Sequence, residues 1–176
     1  MIHFGKAGFL KIILGSMFSG KTSELLNIHR HYQLCKIKCC VINHSDDTRY
    51  HKTLLSSHDK MMVKCLSLRF LKEILTKELL EENQVFLINE GQFFPDLFEF
   101  VTTSVDKYDK DVVVAGLDGD YKREPFGDMI RLIPHTEDII RLHALCKICN
   151  DGTYGYFTKR IVKCNEQYLV GGTNCY

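Results

Sequence analysis

The sequence predicts an α/β fold in which helices cover both faces of a mostly parallel sheet, followed by a small C-terminal lobe. Apolar runs that lack alternation, as in strands buried on both faces, recur along the chain. Between them lie segments whose apolar residues are three and four positions apart, the spacing of helices. Because strands and helices alternate, we expect the strands to run parallel, with helices on both sides of the sheet.

Five strands are predicted, at residues 9–14, 39–42, 61–65, 85–89 and 111–117. Helical spacing predicts one helix over residues 25–32 and a second over residues 68–80, and Pro95 with Asp96 is typical of the start of a third. After Cys146 the composition changes to glycine, tyrosine and cysteine with short strands. We therefore expect a main domain at residues 1–143 and a small lobe at residues 144–176.

Composition limits the class of protein. A chain of 176 residues can form one α/β domain with a small appendage. The formal net charge of +1 lacks the basic footprint of a nucleic-acid-binding protein, so no nucleic-acid partner is expected. No apolar run is long enough to cross a bilayer, and the first residues lack the order of a signal peptide, so we expect no membrane contact and a cytoplasmic location. In that compartment the eight cysteines are expected to stay reduced.

A glycine-rich motif lies directly between the first predicted strand and the first predicted helix. It matches the pattern G-x-x-x-x-G-K-[ST] in full and comprises Gly15, Ser16, Met17, Phe18, Ser19, Gly20, Lys21 and Thr22. In this pattern backbone N–H groups and the helix N-terminus surround nucleotide phosphates, the lysine contacts the β and γ phosphates, and the hydroxyl binds Mg²⁺. The sequence therefore predicts a P-loop NTPase-like domain that binds ATP, with Lys21 on the phosphates and Thr22 on Mg²⁺.

The end of the predicted strand at residues 85–89 carries the second candidate feature. P-loop enzymes usually have an aspartate there that helps to hold Mg²⁺, whereas this chain has the neutral Asn89. Glu90 follows at the carboxyl end of a parallel strand, where ligands bind in open α/β sheets. A carboxylate at this position can accept the proton of an attacking hydroxyl, although the same pattern also fits a solvated glutamate at a strand end.

Further motifs follow along nearly the whole chain. They are Asp47-Thr48-Arg49-Tyr50, His58-Asp59, Glu90-Gly-Gln-Phe-Phe-Pro-Asp96, Leu117-Asp-Gly-Asp-Tyr121, Pro125-Phe126, Cys146-Lys-Ile-Cys149, Thr158-Lys-Arg160 and Val170-Gly-Gly172. Together with the phosphate loop, these motifs resemble those of the type II thymidine kinase family. The resemblance implies a kinase that transfers the γ-phosphate of ATP to the 5′-hydroxyl of thymidine, uses Mg²⁺ and Zn²⁺, and forms a homotetramer.

The resemblance also implies individual roles, with Glu90 as the general base. Positions near the nucleotide phosphates are matched by Asp47, Thr48, Arg49, Asn89 and Gln92. The walls of the thymine pocket are matched by Met17, Phe93, Leu117, Tyr121 and Phe126. The lasso loop, which contacts the base with backbone groups, is matched by Gln167, Tyr168, Leu169, Val170 and Gly171, and Tyr176 closes it. Phe94 and Phe98 are expected to pack in the core, and His58-Asp59 fits a hydrogen-bonded turn as well as a direct role.

The sequence departs from the family pattern at two places. The neutral amide of Asn89 binds Mg²⁺ or its bound water less strongly than a carboxylate would, by about 1 kcal/mol. This difference predicts roughly tenfold weaker binding of Mg²⁺ without loss of catalysis. The family binds zinc with two C-x-x-C pairs, and Cys146 with Cys149 forms only the first, since Cys164 and Cys175 are the only thiols downstream. Either the sequence is a truncated form or the lobe has decayed. Cys146 and Cys149 are then either zinc ligands or two free thiols.

Two hypotheses of function follow from these patterns. In the first, the chain is an active thymidine kinase that aligns the acceptor hydroxyl, Mg²⁺ and the γ-phosphate. In the second, it is a degenerate, non-catalytic relative that binds ATP or a thymidine nucleotide. Asn89 and the missing second cysteine pair favour the second hypothesis, whereas Lys21, Thr22 and Glu90 favour the first.

Overall fold

Six parallel strands form the central sheet of the computed structural model, which describes residues 7–47, 54–56, 62–169 and 175–176. The strands are β1 (Phe9–Gly15), β2 (Cys39–His44), β3 (Leu54–Ser56), β4 (Met62–Lys64), β5 (Leu66–Leu68), β6 (Val85–Ile88), β7 (Asp111–Gly116), β8 (Asp138–Leu142), β9 (Ala144–Leu145) and β10 (Tyr154–Gly155). The order in the sheet is β5-β2-β6-β7-β1-β8, and every neighbouring pair is parallel. The predicted α/β fold with a parallel sheet is therefore confirmed.

Helices cover both faces of this sheet, as predicted. They are α1 (Lys21–Leu34), α2 (Lys77–Glu82) and α3 (Leu97–Tyr108), with 3₁₀ helices at Leu71–Ile74, Gly91–Phe93 and Ile130–His135. Successive residues of a strand point to opposite faces. Ile13 of β1 accordingly belongs to a buried cluster with Leu25 of α1, whereas its neighbour Ile12 belongs to a second cluster with Phe100 and Val101 of α3. None of the helices in the described ranges is long and apolar enough to span a membrane.

The carboxyl ends of the parallel strands lie at one edge of the sheet, which is where ligands bind in folds of this type. Helix α1 carries the chain from β1 to β2, past the two strands that separate them. The phosphate loop follows β1, and Asn43 lies near the end of β2. Asn89 follows β6 and Leu117 follows β7, so four polar or pocket-forming segments meet at this edge.

The single helix predicted over residues 68–80 is wrong. Strand β5 ends at Leu68, a 3₁₀ helix spans Leu71–Ile74, and α2 begins only at Lys77. Side chains cap the starts of both helical segments. The Asp96 carboxylate accepts hydrogen bonds from the backbone N–H groups of Leu71 (3.1 Å) and Lys72 (2.9 Å), and the Thr76 hydroxyl accepts one from Leu79 at the start of α2. Periodicity alone does not reveal such caps.

Other elements were not predicted, and each has a weak sequence signal. Strand β8 lies at the edge of the sheet, and its apolar residues are interrupted by Arg141. Strand β3 was not predicted, and it pairs antiparallel with β4, which lies within the strand predicted at 61–65. Strands β9 and β10 form a separate two-stranded antiparallel sheet at the start of the predicted C-terminal lobe. The domain boundary between residues 143 and 144 stays a prediction.

We expect Asp96→Ala to lower the free energy of unfolding by about 1–3 kcal/mol, because two backbone N–H groups lose their acceptor. Urea denaturation monitored by circular dichroism measures the change. Asp96→Asn retains one carbonyl oxygen, so its free energy of unfolding should lie between those of Asp96→Ala and the unaltered chain. The matched control is Asp106→Ala, at an exposed position of α3. Equal stability of Asp96→Ala and the unaltered chain would show that these hydrogen bonds do not stabilise the start of the 3₁₀ helix at Leu71.

Candidate active site

The phosphate loop connects β1 to α1, as the motif predicts. Gly20 adopts a left-handed conformation (φ 87°), which L-residues with side chains rarely adopt, and this turn leads the chain into α1 at Lys21. The N-terminus of α1, with its positive end, therefore follows the loop directly. The Lys21 ammonium donates a hydrogen bond to the Ser16 carbonyl at 2.8 Å, so the lysine side chain is folded back over its own loop.

A single cavity brings together most of the predicted site residues that the structure describes. Those that line it are Met17, Phe18, Ser19, Gly20, Lys21, Thr22, Asp47, Glu90, Gln92, Phe93, Leu117, Tyr121, Phe126, Gln167, Tyr168, Leu169 and Tyr176. Gly15, Ser16 and Asn89 are buried beside it. Thr48, Arg49, Val170 and Gly171, like the His58-Asp59 pair, lie outside the described residues.

A chain of hydrogen bonds links the phosphate loop to Asp47. The Thr22 hydroxyl donates to the Asn89 side-chain oxygen (3.1 Å), and the Asn89 amide donates to the Asn43 side-chain oxygen (2.9 Å). The Asn43 amide in turn donates to an Asp47 carboxylate oxygen at 3.2 Å. Asn43 and Asn89 are 7% and 2% exposed, so these bonds satisfy amides that are almost shielded from water.

Glu90 is held by Gln92, which is only 3% exposed. The Gln92 amide donates to a Glu90 carboxylate oxygen at 2.6 Å, and its side-chain oxygen accepts from the backbone N–H of Leu117 at 3.0 Å. Glu90 itself has a left-handed backbone conformation (φ 54°), which is uncommon for a residue with a side chain. Gln92 thus fixes the carboxylate relative to the end of β7; the phosphate contact implied for Gln92 stays a prediction.

Aromatic side chains form one wall of the cavity. The rings of Phe93 and Phe126 meet edge to face with centroids 5.5 Å apart, and the Tyr168 ring lies 5.1 Å from that of Phe93. The imidazole of His44 packs behind Phe93, and burial lowers its pKa, so it is neutral at pH 7. Phe94 is 1% exposed and belongs to the core, as predicted. Flat apolar surfaces of this kind suit a planar heterocyclic base.

The turn after β7 positions Tyr121. The Asp120 carboxylate accepts hydrogen bonds from the backbone N–H groups of Lys122 (2.7 Å) and Glu124 (3.1 Å). Asp118 forms an ion pair with Arg141 of β8 at 2.9 Å. These contacts fix the turn on the sheet edge, and the Tyr121 ring faces the C-terminal segment.

The C-terminal segment contacts the phosphate loop directly. The Ser16 hydroxyl donates to the Gly155 carbonyl at 2.8 Å, and the Met17 backbone N–H donates to the Thr158 hydroxyl at 3.0 Å. Thr158 and Arg160 both line the cavity. Sequence reasoning noticed the Thr158-Lys-Arg160 motif but assigned these residues no role, and it overlooked Asn43. Asn43 could have been identified as a site residue from its position near the carboxyl end of a parallel strand.

Cys146 and Cys149, which the sequence leaves as either zinc ligands or free thiols, lie on the turn after β9. Hydrogen bonds from Cys149, with a further one from the backbone of Ile148, lower the pKa of Cys146. A structural zinc site needs four protein ligands. In the described ranges, no group of three or more His, Cys, Asp or Glu side chains is placed to hold a metal ion, and the binding of zinc by Cys146 and Cys149 stays a prediction. Burial raises the pKa of Cys39 to about 12 and that of Cys40 to about 11, so both are protonated packing residues.

A phosphate loop at a strand–helix junction, an adjacent carboxylate and an aromatic wall are together typical of kinases that act on small molecules. Comparison with known proteins narrows this class. Residues 8–176 match the family model described as thymidine kinase, so the chain belongs to the thymidine kinase family.

Individual relatives agree with this assignment. The thymidine kinase of Yaba monkey tumor virus is 39% identical over 171 residues, which cover 97% of this chain and 91% of the relative. The thymidine kinase of vaccinia virus (strain Western Reserve) is 38% identical over 96% of this chain and 92% of its own length. The human cytosolic thymidine kinase is 37% identical over 96% of this chain and 70% of its own length.

We expect Asn89→Asp to lower the Mg²⁺ concentration for half-maximal activity by roughly tenfold, because a carboxylate binds metal or metal-bound water with charge assistance. Without Mg²⁺ the variant should melt at a lower temperature, because a carboxylate at position 89 cannot donate to the Asn43 side-chain oxygen and instead faces it with a second oxygen. A Mg²⁺ titration of product formation and thermal melting in EDTA measure the two effects.

The control for this substitution is Asn27→Asp. The Asn27 side-chain oxygen accepts a hydrogen bond from Arg30 in α1, and a carboxylate can keep that bond. The control should change neither the Mg²⁺ dependence nor the melting temperature in EDTA. An unchanged Mg²⁺ dependence in Asn89→Asp as well would show that position 89 is not close to the metal.

Proposed function

We propose that this chain transfers the γ-phosphate of ATP to the 5′-hydroxyl of thymidine, in the cytosol. The observation that carries the proposal is the Glu90 carboxylate, which lines the same cavity as the phosphate loop and the aromatic wall and is fixed by Gln92 at 2.6 Å. A base placed between a phosphate-binding loop and a pocket for a planar ring is what a nucleoside kinase requires. Membership of the thymidine kinase family supports thymidine as the acceptor.

The phosphates of ATP would lie on the phosphate loop. Backbone N–H groups of the loop and the N-terminus of α1 favour a polyphosphate, and Lys21 would leave its hydrogen bond to Ser16 to contact the β and γ phosphates. Exchange of a neutral carbonyl for an anionic oxygen strengthens the hydrogen bonds of the ammonium group. The loop therefore neutralises charge on the group that is transferred.

The oxygen donors at the strand edge fit a magnesium ion. The Thr22 hydroxyl and the Asn89 amide oxygen are 3.1 Å apart, and Mg²⁺ prefers such oxygen ligands. These two side chains would hold the ion, directly or through water. When bound, Mg²⁺ supplies charge neutralisation between the β and γ phosphates.

The thymine base would lie against Phe93 and Phe126, with Tyr168 on the same side of the cavity. In this orientation the 5′-hydroxyl would reach Glu90, which lines the same cavity. The hydroxyl oxygen forms a bond to the γ-phosphorus as the bond between that phosphorus and the β–γ bridging oxygen breaks, and the hydroxyl proton passes to the Glu90 carboxylate. Gln92 acts through Glu90, because its amide holds the carboxylate in place.

The experiment that tests the proposal is a coupled assay of ADP release with and without thymidine, combined with detection of phosphorylated thymidine. A kinase releases ADP in step with the nucleotide product only when thymidine is present. Thymidine-independent ADP release would indicate an idle NTPase, and ATP binding without turnover would support the non-catalytic alternative. Sedimentation of the same sample tests the homotetramer, which is proposed on the resemblance alone.

We expect Glu90→Gln to lower kcat by about 10²–10⁴-fold, because the amide cannot accept the hydroxyl proton. The substitution keeps the shape of the side chain and an oxygen for the Gln92 hydrogen bond, so ATP affinity should change little. Steady-state kinetics and calorimetry with a non-hydrolysable ATP analogue measure the two quantities. The control Glu99→Gln removes the same charge at an exposed position of α3. Near-normal turnover in Glu90→Gln would contradict the assignment of the base.

We expect Lys21→Ala to abolish measurable binding of ATP and phosphoryl transfer, because Lys21 is the only lysine in the phosphate loop. Calorimetry with the same ATP analogue decides the outcome, and Lys107→Ala, on the exposed side of α3, is the matched control. An affinity equal to that of the control would mean that the loop does not hold the phosphates.

A further inference from the structure

The guanidinium group of Arg160 forms hydrogen bonds with several groups of the C-terminal segment. One terminal nitrogen donates to the carbonyls of Cys164 (3.1 Å) and Glu166 (2.5 Å), and the other donates to the carbonyl of Gln167 (3.1 Å) and the hydroxyl of Tyr176 (2.9 Å). Two terminal nitrogens carry four N–H groups in total, so this arrangement uses all of them. Arg160 therefore holds three backbone carbonyls of residues 164–167 and the Tyr176 hydroxyl at one point.

Tyr176 extends these contacts towards the cavity. Its hydroxyl accepts hydrogen bonds from Arg160 and from the backbone N–H of Leu169 (3.1 Å), and it donates to the Leu169 carbonyl (2.9 Å). A phenol oxygen offers one donor and two acceptor sites. All three are used here, so the hydroxyl ties both backbone groups of Leu169 to the guanidinium group.

The opposite side of Arg160 contacts the turn after β7. Its guanidinium carbon lies 3.8 Å from the centroid of the Tyr121 ring, which is a close cation–π contact. The Tyr121 hydroxyl donates to the same Cys164 carbonyl at 3.4 Å. Arg160 is thus packed between two segments that both line the cavity, the turn that carries Tyr121 and the segment that carries Tyr168.

The position of Tyr168 depends on these contacts. It lies between Gln167, whose carbonyl Arg160 binds, and Leu169, whose N–H and carbonyl Tyr176 binds. With the backbone fixed on both sides, the Tyr168 ring reaches Phe93 (5.1 Å) and Phe126 (6.2 Å). The third ring of the aromatic wall is therefore held there by a residue that is not itself part of that wall.

We propose that Arg160 is a positioning residue that sets the affinity for thymidine by holding residues 164–169 and Tyr176 against Tyr121. The inference rests on the proposed function, because it assigns the nucleoside to the aromatic wall. Arg160 acts through the backbone of the segment, so its loss weakens thymidine binding. The phosphate loop is bonded to Gly155 and Thr158 instead, so ATP binding does not depend on Arg160.

Lysine cannot replace arginine in this role. The ammonium group has three donors and no flat face, whereas the arrangement uses four donors in a plane that stacks on Tyr121. Arg160→Lys should therefore behave like Arg160→Met, although it keeps the charge. This distinguishes a positioning role from a general electrostatic effect of a cation near the cavity.

The test uses the full chain with four substitutions: Arg160→Met, Arg160→Lys, Tyr176→Phe and the control Lys159→Met. Lys159 is the exposed neighbour of Arg160, and its substitution removes the same charge outside the cavity. Thymidine is varied at saturating ATP, ATP is varied at saturating thymidine, and calorimetry measures the affinity for the ATP analogue. Thermal melting shows whether each variant is folded.

We expect both Arg160 variants to raise the KM for thymidine by roughly 10–100-fold, while the Kd for the ATP analogue changes by less than about twofold. Tyr176→Phe should raise the thymidine KM less, and adding it to Arg160→Met should cause little further loss, because both act through one network. Lys159→Met should match the unaltered chain.

Several outcomes would overturn the inference. An Arg160→Lys variant with the thymidine KM of the unaltered chain would refute it, as would equal losses for thymidine and ATP. If the Arg160 variants do not fold, Tyr176→Phe decides, and an unchanged thymidine KM in that variant refutes the network. Failure of this inference can be distinguished from failure of the proposed function. If the proposed function is wrong, the unaltered chain itself forms no phosphorylated thymidine.

Discussion

The parallel direction of all six strands is the constraint on which the site depends. It places the carboxyl ends of β1, β2, β6 and β7 at one edge, so residues distant in sequence meet there. The hydrogen bonds from Thr22 through Asn89 to Asn43 cross three strand ends in this way. The buried clusters on the two faces pack the helices against the sheet, and this packing supports the polar groups at the edge.

The C-terminal segment lies over this edge and contacts both halves of the cavity. Gly155 and Thr158 bond to the phosphate loop, and two residues further on Arg160 stacks on Tyr121. One short stretch of chain therefore joins the proposed nucleotide side to the proposed nucleoside side. Phosphoryl transfer requires the two substrates to be aligned. Because the same segment contacts the nucleotide side and the nucleoside side of the cavity, it fixes the position of one side relative to the other.

Sequence reasoning was effective where one strong local signal sufficed. The phosphate loop, the buried strands and the place of Glu90 after β6 each follow from a short motif or an apolar run. It failed where side chains distant in sequence decide the local structure: Asp96 caps residues 71 and 72 and breaks the predicted helix. Arg160 could not be assigned for the same reason, since its partners are backbone carbonyls that no residue pattern specifies.

The neutrality of Asn89 is understandable from its surroundings. At 2% exposure a carboxylate there would be desolvated, and Glu90 and Asp47 already place two negative charges at the same cavity. The hydrogen bonds from Thr22 through both amides all point the same way, with each donor directed towards the Asp47 carboxylate. Bonds aligned in this manner polarise one another, so the negative charge of Asp47 increases the electron density on the Thr22 oxygen. The two amides thereby transmit part of a carboxylate's effect to the Thr22 hydroxyl, the proposed Mg²⁺ ligand, without burying a further charge.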